Sequence, residues 1–242
     1  MNEKPIKSTC NNEFALGMRA GVPIALGYFA VSFAFGLLGT EGGLPVFQTV
    51  LISALNLTSA GQFAGLTVML AHGSFMELAL TQLVINLRYM LMSFSLSQKI
   101  EKHATILQRL TLSFGITDEI FAVSSAHEGD TPPAFVYGAM AVSWPGWVGG
   151  TFLGAALGSI LPQIVLNALS VALYGMFVAL VFPTARKERA VAYTALGAMA
   201  LSTLFHVLPV LNRVSGGFVI IIATILSAGA AAVFFPVEEG AT

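Results

Sequence analysis

TQLVINLRYMLMSFSLS, residues 81–97, reads as an apolar helix of bilayer length that carries Gln82, Asn86 and Arg88 near its middle. An ionised side chain in hydrocarbon is costly without a partner or water, so Arg88 marks a functional site by default. A second stretch, GITDEIFAVS at 115–124, holds the only adjacent acids away from the chain ends, Asp118 and Glu119. At 100° per residue Glu77, Thr81 and Arg88 share one face of the helix around 81–97, and Gln82, Asn86 and Ser93 a second one. Two polar faces must point into protein or water, which places this helix at the centre of a bundle. Glu77 lies about 16 Å along the axis from Arg88, too far to pair with it on a straight helix.

The chain of 242 residues is 56% hydrophobic and 10% charged, with mean hydropathy +0.81. Residues 20–40, 42–71 and 131–185 contain no Asp, Glu, Lys or Arg. Since about 20 apolar residues cross the hydrocarbon core, these runs define an all-α, polytopic helical membrane protein. They are continuously apolar and do not alternate, which disfavours a β-barrel. The expected spans are 15–38, 46–71, 74–97, 134–158, 162–182, 190–208 and 217–235, about seven helices, or eight if segment 105–126 also crosses. One integral membrane domain, 1–242, leaves no room for a soluble catalytic or nucleotide-binding domain. A single cysteine, Cys10, excludes an intramolecular disulfide and a cysteine metal site. No metal, cofactor or nucleic-acid partner is expected, and the first span reads as retained.

Several segments carry local signals. Gly17 and Gly21 form a GxxxG spacing that permits close helix approach. Pro23 and the Trp144-Pro145-Gly146-Trp147 run predict kinks or unwound turns. Between Asn56 and Gly65 small and polar residues dominate, which reads either as tight packing of an unbroken helix or as a broken helix lining a cavity. Segment 105–126 reads as a polar span, a re-entrant pair of half-helices, or an amphipathic surface helix. Its Thr117-Asp118-Glu119 has the form of a helix N-cap with acids in the first turn. Leu44-Pro45 and Leu161-Pro162 suggest an internal repeat with halves 15–126 and 134–236. That repeat is inverted if 105–126 does not cross and parallel if it does. The Lys and Arg residues of the connections do not favour one orientation.

Gly21-Val22-Pro23-Ile24, Gly27-Tyr28 and Ser32-Phe33-Ala34-Phe35-Gly36 resemble the first span of the AzlC family, the large subunits of branched-chain amino acid exporters. So do the small-residue run ending Gln62-Phe63, Asn86-Leu87-Arg88 with Leu91-Met92-Ser93, and Thr117-Asp118-Glu119 with Phe121-Ala122. The resemblance covers nearly the whole chain, in order. It implies a multi-pass permease of the bacterial inner (cytoplasmic) membrane, working with a small AzlD-type subunit. Such pairs export leucine, isoleucine and valine, and in some members methionine, driven by proton-motive force. The chain departs from the family pattern in two places: Tyr89 stands where many members carry His, and Asn56-Leu57-Thr58-Ser59 replaces a Tyr-Ala-Gly type run.

An amino acid zwitterion needs a cation or helix N-termini for its carboxylate and acids or carbonyls for its ammonium. The expected substrate-binding residues are therefore Arg88 for the carboxylate, Gln62 and Asn86 as amide ligands, and Asp118 or Glu119 for the ammonium. Asp118, Glu119 and Glu77 are the proton-coupling candidates. A passive channel for another solute and a non-transporting scaffold subunit are the alternatives. No HExxH, Ser/His pair or P-loop lysine motif is present, so neither an intramembrane enzyme nor an ATP-driven pump is expected.

Overall fold

The computed structural model describes residues 6–157, 188–209 and 211–235, with 164, 182, 185 and 186, and side chains from Asn12 onward. The helices are α1 (Ile6–Glu41), α2 (Val46–Leu55), α3 (Ser59–Leu70), α4 (Phe75–Lys99), α5 (Ile106–Phe114), α6 (Asp118–Ser125), α7 (Pro133–Leu157), α8 (Arg189–Val207) and α9 (Gly216–Phe234). The all-α membrane class is what the sequence predicts. By length and composition Asn12–Glu41, Arg189–Val207 and Gly216–Phe234 can each cross a bilayer. Glycine, proline and tryptophan dilute the hydropathy of α7, and Glu77 and Arg88 that of α4, although both have 25 residues. The expected span 162–182 and the Leu161-Pro162 half of the repeat signal lie outside the described residues, apart from single positions. The chain forms two compact units, one of residues 1–62 and 87–163 and the other of 63–86 and 164–242.

In the first unit α1 and α7 pack side by side through glycine. A Cβ built on Gly17 would strike the Phe135 carbonyl, and one on Gly154 the Phe33 carbonyl. Gly21 faces Ala139, Gly146 faces Ala25 and Gly150 faces Phe29, so both helices ascend together and run parallel. The GxxxG pair thus serves backbone-close packing within the chain. Helical structure also continues through Pro23 and Pro145. Of the kinks or unwound turns expected at both prolines, the unwinding is absent, because the close partner helix holds the backbone in register where one hydrogen bond is missing.

Segment 46–71 is not one unbroken helix. Asn56 turns extended, with φ −143° and ψ 120°, and its side-chain oxygen accepts from the Thr58 N–H at 3.0 Å and the Thr58 hydroxyl at 2.6 Å. This local turn ends α2, and Ser59 restarts the chain at φ +23°, an uncommon value for a non-glycine residue. On a straight helix Ser53 and Gln62 would stand about 13 Å apart. Instead their side chains are hydrogen bonded at 2.5 Å, so the chain folds back at its break.

Segment 105–126 folds back as well. Thr105 and Gln108 form a capping box at the start of α5, Gly115 ends it, and Thr117 caps α6 by accepting from the Ile120 N–H. At 1.5 Å per residue each half-helix is only about 12–14 Å long, under half the hydrocarbon core. Their outer ends sit together. Arg109 donates to the Ser97 and Glu101 carbonyls at the end of α4, Lys99 donates to the Ser125 carbonyl, and the Thr131 hydroxyl donates to the Ser124 carbonyl at 2.9 Å. Two short helices joined at Gly115–Thr117 are the shape that the re-entrant reading expects. Its apolar side joins Leu112, Ile116 and Ile120 to Leu96, Ile100 and Val136.

The two breaks follow one pattern, Leu57-Thr58-Ser59 and Ile116-Thr117-Asp118, an aliphatic residue, a threonine and then the first residue of a helix. They enter from opposite ends of α1. Thr49 at the start of α2 packs on Gly39, whereas His127, just past α6, pairs with Glu13 at 3.2 Å. In the second unit α8 and α9 pack together, and Tyr193 stacks on Phe235 with ring centroids 5.6 Å apart.

Candidate functional site

Both breaks of the first unit end on one residue of α1. The Tyr28 ring shares one buried cluster with Leu57 at the first tip and with Trp147 of α7, to which it lies edge-on, centroids 5.3 Å apart. Its hydroxyl oxygen is 2.5 Å from Thr117 Oγ1 and 2.6 Å from Glu119 Oε2 at the second tip. A phenol has one proton and cannot donate to both. An ionised carboxylate is the stronger acceptor, so Tyr28 donates to Glu119 and the Thr117 hydroxyl donates to the Tyr28 oxygen. Thr117 Oγ1 retains a lone pair for the Ile120 N–H, and each group in the chain is satisfied. Ile24, one turn earlier on α1, packs against the clusters of both tips.

Beside this joint Arg88 Nη1 of α4 meets Asp118 Oδ2 of α6 at 3.0 Å, and Arg88 Nη2 donates to the Tyr89 hydroxyl at 3.3 Å. The guanidinium also lies 5.0 Å from the Tyr89 ring centroid. Asp118 and Glu119 occupy the first turn of α6, where unpaired N–H groups and the helix dipole favour negative charge. The side chains of Arg88 and Asp118 are 43% and 44% exposed.

Gln62 is placed differently. It is 2% exposed, and its amide is held on both sides, donating to Ser53 Oγ at 2.5 Å and accepting from Trp147 Nε1 at 3.2 Å. Ser53 is in turn 2.6 Å from Thr151 Oγ1, which donates to the Trp147 carbonyl at 3.2 Å. This buried ring of bonds ties both arms of the first hairpin to α7.

The other two residues belong to the second unit. Asn86 Nδ2 donates to Gln82 Oε1 at 3.0 Å, and Asn86 Oδ1 is buried without a protein partner. Ser74 caps α4 by accepting from the Glu77 N–H at 3.1 Å. The buried Glu77 carboxylate accepts from Ser215 Oγ at 2.5 Å and from the Gly217 N–H at 3.0 Å, so it caps the start of α9. Gly217 leaves room for it, because a Cβ there would meet Glu77 Oε1 at 2.5 Å. A cavity of about 480 Å³ in this unit is lined by Tyr193, Gly197, Leu204, Ser227 and Phe234 and has no charged group on its wall. It does not suit a zwitterion.

The structure therefore gathers Arg88, Asp118 and Glu119, sets Gln62 behind them through Trp147, and leaves Asn86 and Glu77 in the other unit. Tyr28, Thr117, Trp147 and Ser53 complete the first unit's arrangement and are not among the sequence-predicted site residues. A tyrosine inside a charge-free span was a usable signal for Tyr28, since a buried phenol needs a partner. Nothing local identified that partner.

The AzlC protein family matches residues 23–161. The chain is 32% identical over 204 residues to the inner membrane protein YgaZ of Escherichia coli, covering 80% of this chain and 83% of that one. It is 33% identical over 198 residues to an uncharacterized membrane protein of Archaeoglobus fulgidus, 81% and 85% of the two lengths. A membrane protein of Helicobacter pylori is 25% identical over 141 residues, 57% of this chain and 61% of its own. No solved structure matches.

Proposed function

This chain belongs to the AzlC family, and on that premise we propose that it is the permease subunit of a secondary exporter of branched-chain or other small apolar amino acids. In this reading it works in the bacterial inner membrane with a small AzlD-type subunit and draws on the proton-motive force. One observation carries the proposal: a partly exposed Arg88–Asp118 pair lies at the start of a half-helix, beside the joint of two broken segments. Transporters place substrate sites at broken helices because free N–H groups and carbonyls there bind charged ends. The substrate carboxylate takes Arg88, and its ammonium takes Asp118 or Glu119. One ion pair becomes two and no charge is left unpaired. Gln62 is proposed as the residue that fixes the first tip.

The test is efflux from cells loaded with leucine- and valine-containing dipeptides. The chain is expressed alone, with its small-subunit neighbour, and with that neighbour as Arg88→Ala or Asp118→Asn. Efflux that requires the partner and both residues and collapses with an uncoupler supports the proposal. Unchanged efflux of every amino acid, with both proteins in the membrane, overturns branched-chain export. Loss of the complex before loss of flux favours a scaffold role for this surface, and flux indifferent to the uncoupler favours a channel.

A further inference from the structure

The two hairpin tips do not touch each other through main chain; they share Tyr28. Its ring is buried in one cluster with Leu57 and Trp147, and its hydroxyl meets Thr117 and Glu119. The same tryptophan donates to Gln62 just past the first tip. Tyr28 is 7% exposed and Leu57 6%, so both sit in packed surroundings. By contrast, Glu119 and Asp118 are only partly buried.

We infer that Tyr28 is a positioning residue that couples the two re-entrant tips, so that neutralising or occupying the Glu119 carboxylate loosens the first tip as well as the second. The inference deepens the transport reading and takes its purpose from it: a ligand bound at one hairpin is felt at the other, as alternating access requires. When Glu119 accepts a proton or an ammonium, its hold on the phenol weakens. Tyr28 then turns its hydrogen bond to Thr117, and the ring loses its fixed seat against Leu57. The titratable and charged groups around Glu119 are Tyr28 on α1, Arg88 and Tyr89 on α4, and its neighbour Asp118. Arg88 already has a partner in Asp118, which leaves Tyr28 as the group whose hydrogen bond reports on Glu119.

A mutant cycle tests this without any substrate. In a Cys10→Ser background, Leu57→Cys provides a buried thiol at the first tip, and its alkylation by N-ethylmaleimide is timed in native membranes. Glu119→Gln removes the charge and keeps the shape; Tyr28→Phe removes the hydroxyl and keeps the ring. With Tyr28 present, Glu119→Gln should speed alkylation about fivefold or more, and with Tyr28→Phe by less than about twofold, the scale of coupling between contacting residues. Equal effects of Glu119→Gln in both backgrounds, or none in either, overturn the coupling. Leucine efflux is measured alongside: Tyr28→Phe should lower the maximal rate with little change in KM. A wild-type chain that moves no leucine but shows the coupling refutes the substrate assignment and leaves the role of Tyr28 standing. Normal efflux kinetics in Tyr28→Phe with no coupling refute that role alone.

Discussion

Gln62 and Ser53, nine positions apart in the chain, are joined by a side-chain hydrogen bond of 2.5 Å across the break between α2 and α3. The bond closes a hairpin that backbone hydrogen bonds alone do not close. Trp147 and Thr151 make it a ring shielded from solvent. Gln62→Leu leaves the Trp147 N–H and the Ser53 hydroxyl short of a partner, and an unsatisfied buried group costs about 1–3 kcal/mol. The variant should unfold at lower temperature in detergent, with Trp147 quenched more readily by acrylamide. Unaltered melting and quenching would mean that the ring does not hold the hairpin.

The glycines of α1 and α7 divide into two groups. Gly17, Gly36, Gly138 and Gly154 leave no room for a methyl group before the partner backbone, while Gly27 and Gly149 have nothing within 4 Å. Gly36→Ala and Gly154→Ala should each cost about 1–3 kcal/mol by forcing the helices apart. Gly27→Ala and Gly149→Ala should be neutral, or stabilising by up to about 1 kcal/mol through helix propensity. Thermal stability of the four purified variants, compared as two pairs, checks this. Two indistinguishable pairs would refute the close packing.

The fold-back of segment 105–126 predicts a labelling pattern. His103 before α5 and Glu128 after α6 are both exposed. In a Cys10→Ser background, His103→Cys and Glu128→Cys should react with an impermeant maleimide from the same side of the membrane. Reaction from opposite sides would show that the segment crosses, and would overturn the re-entrant assignment.

Glu77 tests structural against proton-carrying use. Glu77→Gln keeps an oxygen acceptor for the Gly217 N–H and Ser215, whereas Glu77→Ala leaves both unpaired. Loss of a cap typically costs about 0.5–2 kcal/mol. Glu77→Ala should therefore lower the melting temperature and Glu77→Gln largely restore it, with transport following stability in both. A Glu77→Gln protein that is stable yet loses uncoupler-sensitive efflux would instead assign Glu77 to proton coupling.

Much of this protein is written locally. The membrane class follows from charge-free runs, because burying charge in lipid is costly and composition alone registers that cost. The break at Asn56–Thr58 and the cap at Thr117 are also local: a short polar side chain competes with the helix for its own neighbours' N–H groups. Arg88, Asp118 and Glu119 stand out for the same reason, as charges in an apolar chain.

Tertiary structure decided which of those groups meet. Nothing local says that α2 and α3 fold back and do not continue, since that depends on Gln62 finding Ser53 and Trp147. Pro23 and Pro145 carry a strong local signal for unwinding, yet the glycine contact between α1 and α7 overrides it. The Arg88–Asp118 pair and the Tyr28–Glu119 bond join residues far apart in sequence. Periodicity orders residues along one helix, but the partner of a polar group is set by how helices pack against one another, and that packing is a property of the folded chain.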